Sequence, residues 1–133
     1  MSGFALPGAE TALQDAILTA VRADAGVKSI FGDPARVFDE PVSAPVYPYA
    51  QVSLHELRPG GGADTPSAEH RIDLQVLTRW ASRRDAKDAM GVLRKAIEDA
   101  EIAPSGYRIV LLFPVFSDVV RLRDGRTLRG TLR

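Results

Sequence analysis

The segment from His70 to Trp80 constrains the fold of this chain more than any other segment. Its even-numbered positions are mostly apolar, whereas its odd-numbered positions are mostly charged or polar, with Leu77 the exception. Successive side chains of a β-strand point to opposite faces of the sheet, so the pattern predicts a strand with one packed and one solvated face. The packed face requires helices to cover it. Trp80 falls on that side, and we expect it to lie in the core.

Two amphipathic helices are predicted to provide this cover. The first spans about residues 9–25 and is followed by Gly26, a residue type common at helix C-termini. The second follows Ser82, with Asp85 three residues later in the position of a capping box, and runs to about Ala100. Their apolar side chains recur at helical spacing. These stripes are Leu13, Ile17 and Val21 in the first helix, and Met90, Leu93 and Ile97 in the second.

The remaining segments alternate or end in turn signals, and they predict further strands at residues 36–38, 49–57, 107–123 and 126–133. Asp124-Gly125 between the last two predicts a tight hairpin. The sequence therefore predicts an α+β fold: a mostly antiparallel sheet of about four to five strands with two helices packed on one face. Residues 1–8 are expected to form a flexible N-terminal arm, and residues 9–133 a single α+β domain.

The packed face of this sheet is predicted from the alternation of its strands. We expect the helical stripes to pack on Ile72, Leu74, Val76 and Val52, and we expect Leu54 to share that face with Val52. Gly91 lies inside the second helix, where glycine is a weak helix former, and we attribute it to close packing of that helix.

The composition excludes several classes of protein. The chain has no cysteine, which excludes disulfide frameworks and cysteine-based metal sites. No apolar run approaches the roughly 20 residues of a membrane-spanning helix. We find neither a nucleophile elbow nor a P-loop and expect no enzyme activity and no cofactor. His55 and His70, the two histidines of the chain, either lie unliganded at the rim of a hairpin or bind a metal with Glu56 or Glu69.

The charge of the chain is unevenly distributed. The formal net charge is zero, but residues 1–64 hold 4 basic and 8 acidic side chains, a balance of −4. Residues 65–133 hold 13 basic and 9 acidic side chains, a balance of +4. Such asymmetry indicates either a nucleic-acid surface or head-to-tail contact between subunits of opposite polarity.

Arginines on the predicted strands are one set of candidate contact residues: Arg71, Arg79, Arg121, Arg123 and Arg129. If their faces coincide, the sheet carries a basic band. That band either keeps the protein soluble, or binds DNA phosphates, or binds an acidic patch on a neighbouring subunit. Aromatic residues do not alternate with these arginines, which argues against recognition of single-stranded nucleic acid by stacking.

A second set of candidates lies in the apolar run at residues 109–116, which is apolar on both faces of its predicted strand. Pro114 implies an edge position, a bulge or a break there. Either a helix and a loop cover both sides of this strand, or it forms a subunit interface through Val110, Leu112 and Phe116.

A third set lies in the connection from Arg58 to Ser67. It contains three consecutive glycines, Gly60, Gly61 and Gly62, and its length exceeds that of an ordinary hairpin loop. We predict a mobile loop whose length implies a contact, and we include Arg58 and the three glycines among the candidate interface residues.

The order of these segments is itself a signature. The chain runs through ALQDAILTAVRAD, FGDPARVFDE, YPYAQVSLHE, HRIDLQVLTRW, DAKDAMGVLRKAIEDA and GYRIVLLFPVFSDVVRLRDGRTLRGTLR. In this order, from about Leu13 to Arg133, it resembles the tail-completion or tail-terminator proteins of long-tailed phages and gene transfer agents.

This resemblance implies a structural virion protein without enzyme activity. Its copies would form a ring, typically a hexamer, at the head-proximal end of the tail tube, ending tube assembly and joining the tail to the head connector. The implied partners are other copies of the chain, the tail-tube protein, the head–tail connector or stopper protein, and DNA that passes transiently through the lumen, with no membrane involved. The implied location is the virion, and the host cytoplasm during assembly. The alternative is a small sequence-nonspecific nucleic-acid-binding domain that uses the C-terminal arginine hairpin.

Overall fold

The computed structural model describes residues 8–60 and 67–133, which contain three helices and five strands. In chain order these are α1 (Ala9–Ala23), α2 (Ala25–Phe31), β1 (Val37–Phe38), β2 (Tyr49–Gly60), β3 (Ser67–Arg79), α3 (Arg83–Asp99), β4 (Ser117–Arg121) and β5 (Thr127–Leu132). Apart from Gly8, the predicted N-terminal arm lies outside the described residues. None of these three helices is long and apolar enough to cross a membrane.

Three helices form where two were predicted, because α2 follows the predicted first helix after a break at Asp24. Gly26 therefore lies inside α2 and does not end the first helix. Asp24 adopts an extended backbone conformation, and its carboxylate accepts a hydrogen bond from the N–H of Val27 at 3.0 Å, which caps α2. The predicted capping box of α3 is confirmed. The Ser82 hydroxyl accepts from the N–H of Asp85 at 3.1 Å, and the Asp85 carboxylate accepts from the N–H of Ser82 at 3.2 Å.

The strands form one sheet in the order β1-β2-β3-β5-β4. β1 and β2 are parallel, whereas the other neighbouring strands are antiparallel, so the predicted α+β fold with a mostly antiparallel sheet is confirmed. The order places β1 at one edge and β4 at the other. The helices pack on one side of the sheet, which we call the helical face, and we call the other side the open face.

The core lies between the helices and the helical face. Val76 of β3 is buried, as predicted, and packs with Ile17 and Val21 of α1 and Leu93 of α3. Leu74 is buried as predicted and lies opposite Leu132 of β5, a member of the same core. Four other residues of the predicted core are only partly buried and pack against its margin: Leu13, Val52, Ile72 and Ile97.

Close packing of α3 on the sheet depends on Gly130 of β5 and not on Gly91. A Cβ atom built on Gly130 would collide with Sδ of Met90, a buried residue of α3. A Cβ atom on Gly91 would meet no atom within 4 Å. The predicted reason for Gly91 is therefore wrong, because its helical position faces solvent.

A β-bulge in β2 reverses the predicted facing of its second half. Val52 pairs with Leu74, but Leu54 pairs with Asp73, so Ser53 is an additional residue on the β2 side. Leu54 therefore shares the open face with Asp73, which corrects its predicted place beside Val52. Beyond the bulge, His55 pairs with Ile72 on the helical face.

The predicted long strand over residues 107–123 is also wrong. Only Ser117–Arg121 forms a strand, and residues 109–116 have no regular secondary structure. Pro114 cannot donate a hydrogen bond to a neighbouring strand, which favours this break. The predicted hairpin at Asp124-Gly125 is confirmed between β4 and β5, where Gly125 adopts a φ of 75°.

The predicted loop from Arg58 to Ser67 is shorter than expected. β2 extends to Gly60 and β3 begins at Ser67, with Arg58 opposite Glu69 and Gly60 opposite Ser67. Arg58 and Gly60 are thus strand residues, whereas Gly61 and Gly62 lie outside the described residues. The lengthened strands form a two-stranded ribbon beyond Asp73, where the described pairing of β3 with β5 has ended.

Candidate assembly surfaces

The most exposed apolar surface of the described protein is the stretch of residues 109–116, which we call the apolar segment. Val110 is 85% exposed, Leu111 74%, Phe113 57% and Val115 59%, and Leu112 and Phe116 are exposed as well. The predicted cover by a helix and a loop is therefore not found over the described residues. Val110, Leu112 and Phe116 all stand in solvent, and their role in an interface remains a prediction.

One end of the apolar segment is fixed to the sheet. The N–H of Val115 donates to the carbonyl of Arg133 at 2.8 Å, and the N–H of Arg133 donates to the carbonyl of Phe116 at 2.8 Å. The Arg133 guanidinium also lies 5.2 Å from the centre of the Phe116 ring, within range of a cation–π contact. Among the described residues, no backbone hydrogen bond ties positions 108–114 to another element. The segment is therefore held at one end and uncovered along most of its length.

The arginines of the open face are largely paired. Arg71 donates to the Glu56 carboxylate at 2.9 Å. Arg79 donates to the Thr127 hydroxyl at 3.2 Å and lies 4.3 Å from the centre of the Tyr47 ring. The Glu56 carboxylate neutralises Arg71, and the Asp124 carboxylate lies 4.0 Å from Arg79, whereas Arg129 has no ion pair among the described residues.

A half-buried ion pair lies on the open face, at the C-terminal end of β5. The Arg133 guanidinium donates two hydrogen bonds to the Asp73 carboxylate, at 2.8 and 3.0 Å. Asp73 is only 6% exposed, although its position in the alternating strand predicts solvation. The bidentate geometry explains how a carboxylate is accommodated there, because both of its oxygens accept from a cation.

The five candidate arginines do not form one band. Arg121 pairs with Leu128, a residue of the helical face, and its guanidinium donates to the carbonyl of Gly125 at 3.1 Å. Arg123 lies in the hairpin turn and is exposed. Arg129 belongs to the open face opposite Leu77. The predicted basic band is therefore divided among the open face, the helical side of β4 and the β4–β5 turn.

Trp80 lies in solvent, contrary to its predicted place in the core. Its side chain is 79% exposed and its φ is 56°, a left-handed conformation that is unusual for a bulky residue. The N–H of Trp80 donates to the carbonyl of Arg126 at 3.0 Å, and the Arg126 guanidinium lies 5.7 Å from the centre of the indole. Because the N-cap of α3 follows two residues later, the chain must turn sharply at Trp80. The two-residue spacing between Trp80 and the N-cap Ser82 is the sequence signal that indicates an exposed tryptophan.

Asp124 fixes the turn beside Trp80. Its carboxylate accepts from the Thr127 hydroxyl at 2.6 Å and from the backbone N–H groups of Arg126 and Thr127 at 3.0 and 2.9 Å. The Thr127 hydroxyl bond first, and then the Arg126 N–H bond, lower the pKa of the Asp124 carboxyl from 3.8 to about 2.

This network predicts an unusually acidic titration of Asp124. The contribution of its carboxylate to stability is complete above its unfolded pKa of 3.8 and is lost as the pH falls through about 2. We expect an NMR titration of the side chain to show a midpoint near 2. In Thr127→Val the midpoint should rise toward the ordinary value, and an unchanged midpoint would contradict the assigned cause.

The two histidines meet on the ribbon. Nε2 of His55 lies 2.8 Å from Nδ1 of His70, so one ring donates and the other accepts. Burial lowers the pKa of both imidazoles, and the neighbouring His70 lowers that of His55 further, while Glu10 of α1 acts in the opposite direction. Across residues 8–60 and 67–133, no third histidine or carboxylate completes a metal-binding group with them.

Comparisons with known proteins agree with this architecture. The chain superposes with a TM-score of 0.82 on a protein chain in the virion of a native gene transfer agent particle, covering 92% of this chain and 90% of that chain. The two sequences are 24% identical, so this likeness shows that the fold is shared. No curated protein matches the chain in sequence.

The family model described as tail completion protein gp17 matches residues 15–133. This match covers nearly the whole chain and confirms the family that the order of its segments indicates. The chain therefore belongs to the tail completion protein gp17 family and is a structural protein of a phage-like virion.

Proposed function

We propose that this protein is a tail terminator whose copies close a ring, typically a hexamer, on the head-proximal end of the tail tube. The ring ends tube assembly in the host cytoplasm, joins the tube to the head connector or stopper protein, and leaves a lumen for DNA. The observation that carries the proposal is the exposed apolar segment on a tail-completion protein. Apolar surface of this extent marks an interaction site, because a monomer gains by burying it.

The position of the apolar segment suits a ring. A ring contact is heterologous and joins two different surfaces of identical subunits. The segment precedes β4, which is one edge of the sheet, so it can reach a neighbouring subunit or the tube. We expect each subunit contact to bury about 1,000 Å² or more of total surface, the size typical of specific interfaces.

The paired arginines of the open face support passage of DNA. Every phosphate that a free arginine contacts adds salt-dependent affinity, so an adhesive lumen would hold the DNA. Arg71 has a carboxylate partner and Asp73 neutralises Arg133. If the open face lines the lumen, it presents a largely neutralised surface to the passing duplex.

The apolar segment offers a direct test of assembly. We expect native mass spectrometry of the wild-type chain with its tail-tube protein to show a ring, and electron microscopy to show that added chain stops tube growth. The double variant Val110→Ser/Leu111→Ser should remain monomeric and should no longer stop growth, because it removes two of the most exposed apolar side chains. Its melting temperature should stay within about 2 °C of wild type, since surface substitutions have small effects on stability.

Val120→Ser provides the matched control, because Val120 is another exposed valine but lies outside the apolar segment. It should assemble like the wild type. A wild-type chain that stays monomeric and ignores the tube would overturn the proposal.

The alternative, a nucleic-acid-binding domain, has one observation in its favour, which is the exposed Arg123 beside Arg126 in the β4–β5 turn. Measurement of duplex affinity against salt concentration separates the two functions. A terminator should bind weakly, whereas a DNA-binding domain should show a steep salt dependence that Arg123→Ala reduces.

A further inference from the structure

A second exposed surface lies where β3 ends, beside the β4–β5 turn. It consists of Trp80, Arg123 and Arg126, and we call it the Trp80 patch. The indole is 79% exposed, and the Arg126 guanidinium lies beside it and 3.8 Å from the Asp124 carboxylate. Arg123 makes no ion pair among the described residues. Tryptophan and arginine are the residues most enriched among those that dominate binding energy in protein interfaces.

The backbone presents this tryptophan rigidly. A non-glycine residue with a φ of 56° is strained, and such strain is maintained where the surrounding structure imposes it. Here the hydrogen bond from the Trp80 N–H to Arg126 and the Asp124 network of the turn impose it. A backbone that is already held in one conformation loses little conformational entropy on binding, which favours a docking role.

The connection between β1 and β2 carries a surface of complementary charge. After β1 the chain continues through residues 39–46, which we call the acidic segment, before it enters β2. Asp39 and Glu40 are exposed, and neither makes an ion pair within the described part of the chain. The segment also contains Pro41 and Pro45, and Val46 at its end is 64% exposed.

The two surfaces follow different strands of the sheet. The acidic segment follows β1, an edge strand, whereas the Trp80 patch lies where β3 ends and the β4–β5 hairpin turns. The half of the chain that carries the acidic segment has a balance of −4, and the half that carries the Trp80 patch has a balance of +4. In a head-to-tail ring, the acidic segment of each subunit would meet the Trp80 patch of the next, so opposite charges would face each other at every contact.

We infer that the acidic segment of one copy docks on the Trp80 patch of the next copy in the ring. The indole receives the proline-rich part of the segment, since flat aromatic surfaces are the usual partners of proline-rich chains. Arg123 pairs with the carboxylates of Asp39 and Glu40, and Arg126, which also faces Asp124, adds positive charge beside them. This inference rests on the proposed function, because it requires copies of the chain to assemble in a ring.

The described contacts favour a protein occupant of the Trp80 patch over single-stranded nucleic acid. Such nucleic acid is bound along a groove with successive aromatic platforms, whereas Trp80 is the one aromatic residue in the patch. Arg121 and Arg83, which flank the patch, donate to the carbonyls of Gly125 and Val119. Fewer guanidinium groups therefore remain for a phosphate backbone.

Charge exchange tests this inference by native mass spectrometry. Asp39→Lys/Glu40→Lys and Arg123→Glu/Arg126→Glu should each reduce the ring population at least tenfold, because like charges then face each other. An equimolar mixture of these two variants should restore rings, with the variants alternating, since each contact in the mixture is again complementary. Arg84→Glu/Lys87→Glu is the matched control, because both residues are exposed on α3 outside the patch, and its rings should persist.

Trp80→Ala supplies an independent readout, because it leaves the Asp124 network intact even if Arg126→Glu disturbs the turn. We expect Trp80→Ala to reduce the ring population. Mixing Trp80→Ala with either charge-exchanged variant should not restore the rings. If the wild type forms rings and all of these variants do as well, the inference is wrong while the proposed function stands. If Arg123→Glu/Arg126→Glu loses affinity for an oligonucleotide but keeps its rings, nucleic acid occupies the patch and the inference is wrong. If the wild type forms no ring, both fail.

Discussion

Leu74→Ala should lower the free energy of unfolding by roughly 2–5 kcal/mol, the range measured for truncation of a buried leucine. Leu74 is 2% exposed on the helical face, paired with Val52 of β2 on one side and with Leu132 of β5 on the other. Alanine would leave a cavity between the helices and strands β2, β3 and β5. The paired strands can move little to fill this cavity. Urea unfolding followed by circular dichroism measures the change.

Val110→Ala is the matched control for Leu74→Ala. It also truncates an apolar side chain, but Val110 is 85% exposed, so we expect the free energy of unfolding of the monomer to change by about 0.5 kcal/mol or less. Similar losses in the two variants would mean that the core is not where the structure places it. The comparison must be made on the monomer, since assembly adds stability through mass action.

Gly130→Ala should also destabilise the protein, by about 1–3 kcal/mol, although it adds a single methyl group. The new Cβ atom would collide with Sδ of Met90, a buried residue of α3. Either α3 shifts away from the sheet or the Met90 side chain leaves its rotamer. Thermal unfolding of the purified variant measures the loss.

Gly91→Ala should have the opposite effect and stabilise the protein by about 0.5–1 kcal/mol, because alanine gains helix propensity without a clash. Gly91 lies inside α3, and a Cβ atom added there would have no neighbouring atom within 4 Å. Stabilisation by both substitutions would show that α3 does not pack closely on Gly130.

The elements that could be predicted from the sequence are those with signals contained in a few neighbouring residues. The Ser82–Asp85 capping box determines where α3 begins, and the alternation before Trp80 identifies β3 and its buried face. Asp124-Gly125 likewise predicts the hairpin, because the turn requires a residue with positive φ. These signals do not depend on the rest of the fold.

The features that could not be predicted depend on partners distant in sequence. Residues 109–116 have the composition of a buried strand, but the pairing of β4 with β5 begins only at Ser117. Trp80 continues the alternation of β3, but the sharp turn into α3 moves it out of the core. Asp73 resembles a solvated residue because the arginine that neutralises it is 60 positions away.

The candidate arginines illustrate the same limit. Their presence on strands could be predicted. Whether they share a face depends on the pairing register of the strands, which cannot be read from the sequence. Arg121 pairs with Leu128, so it lies across the sheet from Arg79 and Arg129. Arginines that were predicted to share one basic surface therefore lie on opposite faces of the sheet.

The extra residue at Ser53 gives β2 an unusual tolerance to a change in length. Val52 already pairs with Leu74, and Leu54 already pairs with Asp73. Deletion of Ser53 would therefore keep both pairs, and every later side chain of β2 would stay on the same face of the sheet. A residue inserted into the ribbon, where pairing is regular, would instead turn His55 away from His70 or require a second bulge. Evolution can therefore trim this strand at one point without reorganising the imidazole pair beyond it.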